Sequence, residues 1–385
     1  MRKITPFAGL ALALTATAAL AAAAAAPAPP PAPAPTTAPP PAQPFTLPKG
    51  ALAVGPIYTT DPAVTDLGAP RGKTFVIKLP MRDSRIFRGD IPYITPPPPP
   101  APPAPGAPPR PPQVPLDPAT WERQVTVYIP AAYRDGDAAA VAYIHDGPAG
   151  DPPAGGLGNW FELITRAQDN LTNNPDPSRR LPVFITIATQ SAPGRNRSYE
   201  YDTMSDRQAR FIHDEVMPLV LNHPQIRAAY PRLRFTSDPE GMATIGCSSG
   251  GSSAMNMAWF HPEWFRRVIA YSGTFTNNQA NVAERAQYPL GAWEYHSGTL
   301  KLIENTPKKP IRVFNHNSEN DTGRELPDAN ARNWVTSNTR FADALQKKGY
   351  EQRYLYALGG GHCDRGAVGQ TMADTLVWLW QGYGA

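Results

Sequence analysis

From about residue 121 to the end, short apolar or β-branched runs alternate with helical segments, and this alternation constrains the fold more than any other feature of the chain. The runs are "VTVYI" (125 to 129), "VAYIH" (141 to 145), "VFITIA" (183 to 188), "MATIG" (242 to 246), "VIAYSG" (268 to 273), "IRVFNH" (311 to 316) and "RYLYAL" (353 to 358). Between them lie "DRQARFIHDEVMPLVL", "SSAMNMAWF", "NWVTSNTRFADALQKK" and "TMADTLVWLW". A strand wetted on one face would alternate apolar and polar residues. Runs that stay apolar throughout, separated by helices, imply a largely parallel sheet covered on both faces. A stretch of about 265 residues is long enough to bury one sizeable α/β core.

Proline organises the front of the chain. The N-terminus, "MRKITPFAGLALALTATAALAAAAAAPAPP", carries two early cations, an apolar alanine- and leucine-rich run, and small residues offering A-x-A cleavage sites. That is the pattern of a secretory signal peptide over residues 1–26, with cleavage expected between residues 20 and 27. A retained membrane anchor is the competing reading. It fits less well, because proline floods the following segment and no nearby cysteine could carry a lipid. Residues 27–48 form a Pro/Ala-rich linker, a PPII-prone tether without material for a core. The folded domain is expected over residues 49–385. Within it, a Pro-rich loop at 96–118 separates "KTFVIKLP" from "RQVTVYIP", which look like neighbouring strands. No later run is long or apolar enough to span a bilayer. The expected location is periplasmic or secreted, where disulfides form and persist. The net charge of +4 falls to about +2 once Arg2 and Lys3 are removed, and no basic run suggests a nucleic-acid partner.

"TIGCSSGG" (244 to 251) carries the chemistry. "GCSSG" fits G-x-S-x-G with Ser248 at its centre, a strand before it and a helix after it. A serine there sits on a tight turn with its hydroxyl exposed, and the glycines allow close approach of neighbouring backbone. Free N–H groups of the following helix, and its positive dipole end, would face an oxyanion. Alone the motif is weak, since glycine and serine are common. Its strand–turn–helix context makes it specific.

A serine hydroxyl needs a base, and the expected chain order is serine, acid, histidine. Among the later histidines, His261 ends the elbow helix, His296 lies in an aromatic loop and His316 lies inside a strand. His362 stands in the glycine-rich "GGGHCDRG", after the last strand and before the last helix, where a base can reach the elbow. The acid should follow the preceding strand, and "NHNSENDTG" offers Glu319 and Asp321; position alone barely separates them. For the oxyanion hole the Ser249 N–H is the natural first donor. The second should come from "DGPAG" after the strand "VAYIH". Pro148 has no N–H, leaving Gly147 or Ala149.

The segments "RSYEYDTMSDRQARFIHDEVMPLV", "TSDPEGMATIGCSSGGSSAMNMAWFHPEWFRRVIAYSGTFTN", "IRVFNHNSENDTG" and "LVWLW" resemble an esterase family of α/β hydrolases. That family holds enterochelin-esterase-like proteins, esterase D relatives, and bacterial feruloyl and acetyl xylan esterases. The resemblance runs from about residue 121 to 385, with an extra strand near 74 to 90. It implies the α/β-hydrolase fold and a serine carboxylesterase acting on a small-molecule or carbohydrate-linked ester, without metal or cofactor. The family's acid lies in a G-x-N-D-like turn. "SEND" matches it except for the first serine, which favours Asp321. Pro148 departs from the family at a position that often donates to the oxyanion.

The cysteines resemble those of a second group. Tannases and fungal feruloyl esterases carry Cys-Ser at the nucleophile and His-Cys at the base, with the cysteines bonded to each other. "GCSSGG" and "GHC" match, which tilts the substrate toward phenolic esters. A Cys247–Cys363 disulfide is accordingly expected. Ser248 and His362 must meet, so their neighbours are brought close, and no other cysteine competes. Such a bond would hold a mobile glycine-rich histidine loop against the elbow.

Three further features have competing readings. Arg195, Arg197 and Glu200 suit structural ion pairs better than substrate contacts. Trp160 and Phe161 could equally line an aromatic-acyl pocket or pack. Trp378 and Trp380 belong to core and docking. Two other functions share the fold: an acyltransferase with the same catalytic residues, and a non-catalytic envelope-binding protein, against which the complete serine–acid–histidine order argues. A cysteine hydrolase does not fit, because Cys247 is beside the tip of the elbow.

Overall fold

The computed structural model describes residues 47–88, 117, 119–150, 153, 160–192, 196–278, 289–327 and 331–384. The expected signal peptide, the linker up to residue 46 and, apart from Asp117, the Pro-rich loop lie outside the described residues. Among the described residues no helix is long and apolar enough to cross a membrane.

Ten described strands form one sheet: β1 (Leu52–Val54), β2 (Lys73–Pro80), β3 (Glu122–Ile129), β4 (Ala138–Ile144), β5 (Phe184–Thr189), β6 (Arg234–Phe235), β7 (Met242–Cys247), β8 (Arg267–Tyr271), β9 (Arg312–Ser318) and β10 (Glu351–Ala357). Their order is β1-β10-β9-β8-β7-β4-β5-β3-β2, with β6 pairing β4 off this path. β3 is antiparallel to both β2 and β5. The other pairings are parallel. Each of the seven apolar runs is a strand, and "KTFVIKLP" is the expected extra one. It pairs with β3 across the proline tract, Phe75 opposite Val127.

Strand residues feed two cores in alternation. Val127, Tyr143, Ile187, Val268 and Val313 pack on one face with the elbow helix, Ser249–Phe260. On the other, Ala142, Ile144, Ala243, Ile245, Cys247 and Phe314 pack with helices Trp160–Leu171 and Arg365–Trp380. All six residues of β5 and of β7 are buried, as a sheet covered on both sides requires. Trp378 and Trp380 are buried in the second core, Trp380 stacking on Phe184 at 5.3 Å. The helical run from Arg207 contains a π turn, Phe211–Val216, just before Met217–Asn222. Pro218 has no N–H to give there, and the wider turn absorbs the missing bond.

The alternation also aims Cys247. It shares a face with Ala243 and Ile245, the face against which the last helix lies, so its sulfur points toward the loop that enters that helix.

Candidate active site

Ser248 stands between β7 and the elbow helix with φ 57° and ψ −128°. A non-glycine residue held there costs on the order of 1–3 kcal/mol. Four backbone hydrogen bonds hold it: its N–H donates to the Tyr271 carbonyl at 3.0 Å, and its carbonyl accepts from Gly251, Ser252 and Thr274 at 2.9, 3.2 and 3.0 Å. The flanking glycines are there for space. A Cβ at Gly246 would overlap the Gly250 carbonyl, and one at Gly250 would sit 2.9 Å from the His145 Cβ.

His362 and Asp321 meet. His362 Nδ1 lies 2.6 Å from Asp321 Oδ1. A carboxylate there fixes the proton on Nδ1 and leaves Nε2 to accept another. The Asp321 side chain is fully buried while His362 is one-third exposed. Asp321 also accepts from Asn317 Nδ2 at 2.7 Å and from the Thr322 N–H at 2.8 Å. Trp334 stands edge-on to the imidazole at 6.0 Å. Glu319, the other candidate acid, turns elsewhere and accepts from the Gly359 N–H at 2.9 Å.

Cys247 and Cys363 are joined by a disulfide with their Cα atoms 6.2 Å apart, inside the window a bridge requires. A ring nitrogen of His362 and the two sulfurs all lie within 4.8 Å of one another. The imidazole is thus drawn up to the residue that precedes Ser248. Bonded to each other, the sulfurs offer no thiolate to a metal. The bond closes a loop across 116 positions, worth about 4–5 kcal/mol in the chain-entropy treatment. Replacing both cysteines by alanine should therefore lower the melting temperature by roughly 5–15 °C. It should also lower turnover, since His362 would lose one of its restraints. Thermal melts and p-nitrophenyl ester assays check this; an unchanged melting temperature would contradict it.

In the loop after β4, the Gly147 N–H donates to the Thr189 carbonyl at 2.8 Å, at the end of the β4–β5 pair. Ala149 is exposed. Gln124 grips the loop around it, accepting from the Gly150 N–H at 2.9 Å and donating to the Pro148 and Gly150 carbonyls at 3.1 and 3.0 Å. Ser249 opens the elbow helix and is buried.

Trp160 and Phe161 line a small pocket together with Asp146, Gly147 and Pro148. Trp160 is itself buried against Tyr271, ring centres 4.9 Å apart, whereas Phe161 is half-buried. Arg197 and Glu200 form structural ion pairs: Arg197 grips Asp146 with two bonds of 2.6 and 2.8 Å, and Glu200 holds buried Arg123 at 2.5 and 2.9 Å. Arg195 lies outside the described residues. Asp202 was not legible in the sequence beyond its place after "YEY". It is buried behind the elbow, and burial pushes its pKa up to about 6 against bonds from Ser249, Ser198 and Asn278. His145, beneath the elbow helix, bonds the Ile245 carbonyl and Ser253 Oγ, both at 3.0 Å; burial pushes its pKa down to about 4, so it is neutral.

The sequence profile of the family described as "Putative esterase" matches residues 119–366, more than half of the chain. The diacylglycerol acyltransferase/mycolyltransferase Ag85A of Mycobacterium tuberculosis (strain ATCC 25618 / H37Rv) is 28% identical over 145 residues, covering 32% of this chain and 40% of that protein. Ag85A of Mycobacterium bovis gives the same values. The match thus spans well under half the length of these curated relatives. Among solved structures, a ferulic acid esterase superposes with a TM-score of 0.51 at 15% identity, covering 81% of this chain and 99% of that one. A ferulic acid esterase of the anaerobic fungus Anaeromyces mucronatus, in complex with ferulic acid, gives 0.52 at 13% identity, covering 84% and 96%. At such identities the likeness is one of fold. With the extent of the family match, the sheet order and the elbow together, the chain has the α/β-hydrolase fold and belongs to the "Putative esterase" family.

Proposed function

We propose that the protein is an exported serine esterase in which Ser248 is the nucleophile, His362 the base and Asp321 the residue that orients it. The observation that carries this reading is the 2.6 Å His362–Asp321 contact, on a loop bonded through Cys363 to the residue preceding Ser248. Ser248 Oγ attacks the ester carbonyl carbon as its proton passes to His362 Nε2. The carbonyl oxygen becomes an oxyanion, stabilised by the Ser249 N–H with Ala149 as the proposed second donor. Collapse expels the alcohol, which takes the proton from His362. Water then repeats the sequence on the acyl-enzyme and releases the acid.

The acyl group is proposed to be phenolic or the ester carbohydrate-linked. Support comes from Phe161, an accessible ring beside the loop that follows β4. A disulfide next to the nucleophile suits an oxidising compartment, which supports a periplasmic or extracellular location. Acyl transfer is the second reading, favoured by the similarity to the Ag85A acyltransferases, because an alcohol acceptor can replace water without changing any catalytic residue.

Purified protein should be given methyl ferulate, methyl gallate, acetylated xylan and p-nitrophenyl acetate, with and without a sugar acceptor, and the products analysed. Free acid as the main product, with or without acceptor, is expected. Predominant acylation of the acceptor would make the protein a transferase, and no turnover of any ester would leave a binding protein.

A further inference from the structure

The loop that carries His362 is gripped by a segment outside the family match. Residues 51–61 come well before residue 119, where that match begins. β1 lies along β10, and the Leu358 N–H donates to the Val54 carbonyl at 2.8 Å. The chain then turns at Gly55–Pro56, and the Tyr58 hydroxyl donates to the Leu358 carbonyl at 2.6 Å. Both backbone polar groups of Leu358, where β10 gives way to the loop, are therefore bonded to this segment. Beyond the loop, the Thr59 N–H donates to Gln370 Oε1 at 3.1 Å and the Asp61 N–H to the Gly369 carbonyl at 3.0 Å, both on the last helix.

The packing is close enough to dictate the loop's composition. A Cβ at Gly360 would come within 2.9 Å of the Tyr58 Oη, and one at Gly366 within 2.8 Å of the Tyr58 ring. A Cβ at Gly359 would press on Pro56 at 3.1 Å. Three of the four glycines in "GGGHCDRG" thus leave room for residues 56–58. The expectation of a mobile glycine-rich loop gives way to one in which glycine permits close contact. Burial, helped by Asp364 and Glu319, pushes the Tyr58 pKa up, so the phenol keeps the proton it donates.

We propose that Tyr58 is a positioning residue for His362, and that residues 51–61 are a working part of the catalytic site. The disulfide ties the loop to the elbow at Cys363; Tyr58 fixes where the loop departs from the sheet and packs where it enters the helix. Together they set the imidazole against Asp321. This inference rests on the reading of His362 as the base.

The test compares Tyr58→Phe, which loses only the hydroxyl, with Tyr58→Ala, which also empties the space beside Gly360 and Gly366. With a p-nitrophenyl ester, kcat should fall about threefold in the first variant, the size of one ordinary hydrogen bond. It should fall tenfold or more in the second, with KM staying within about twofold in both, because orientation rather than substrate binding is lost. The far-downfield proton resonance of the His362–Asp321 bond should broaden or disappear in Tyr58→Ala. The loss should be larger still when both cysteines are alanine, since two restraints on one loop couple. His362→Ala separates the two levels of the argument. If that variant keeps turnover, the base reading itself fails. If it abolishes turnover while folded Tyr58→Ala keeps wild-type kcat and an unchanged resonance, the inference alone is overturned. Should Tyr58→Ala not fold, wild-type kcat and an unchanged resonance in Tyr58→Phe overturn it equally.

Discussion

Ser248→Ala is expected to lower turnover of a p-nitrophenyl ester by about four to six orders of magnitude, with fold and disulfide intact. The size follows from the role. Removing the hydroxyl leaves His362 with no proton to take and no atom to attack the carbonyl, so only binding and oxyanion stabilisation remain. Structural damage should be small. The Ser248 backbone is held by the Tyr271 carbonyl and by N–H groups of Gly251, Ser252 and Thr274, and none of those bonds uses the side chain. A loss of less than tenfold would mean that the strained elbow presents its serine for some other purpose.

Asp321→Asn should cost about 10⁴-fold in kcat, whereas Glu319→Gln should stay within severalfold of wild type. Asp321 Oδ1 accepts from two donors, His362 Nδ1 and the Thr322 N–H, while Oδ2 faces the Asn317 amide. An asparagine can meet only one of those sides with an oxygen. Turning its NH₂ to His362 forces the proton onto Nε2, where it blocks the serine; turning it to Asn317 sets two donors against each other in a buried site. Glu319 instead accepts from the Gly359 N–H, three residues before His362, and pairs with Arg324. Steady-state kinetics on both variants decide the matter, and a larger loss for Glu319→Gln would move the role to that residue.

The fold could be read where the chain repeats a pattern long enough to carry a period. Runs such as "VFITIA" and "MATIG" announce buried parallel strands by staying apolar, and each is a strand. β1, with three residues, and β6, with two, are too short to show any period, and both were missed. The tight turn at Ser248 was legible because close packing there needs glycines at fixed offsets. Which of Glu319 and Asp321 meets His362 was not legible from position, since they share one turn and differ only in where their side chains point once it is built; the family resemblance favoured Asp321, and that is the carboxylate beside the imidazole. The bond from the Gly147 N–H to Thr189 was hidden for a similar reason, because it depends on how β4 and β5 end beside each other. Tyr58 left no trace at all. Its partner lies 300 positions away, and the glycines that accommodate it read in sequence as freedom.

The most direct test of the central claim is mass spectrometry of the intact protein after treatment with a fluorophosphonate, followed by peptide mapping. The reagent phosphonylates a serine only where a base takes its proton and donors stabilise the developing oxyanion. It therefore reports the assembled site, independent of the natural substrate. One adduct is expected, on the peptide containing Ser248, and absent from Ser248→Ala. An adduct on another residue, or none on a preparation that turns over esters, would contradict the assignment of Ser248, His362 and Asp321.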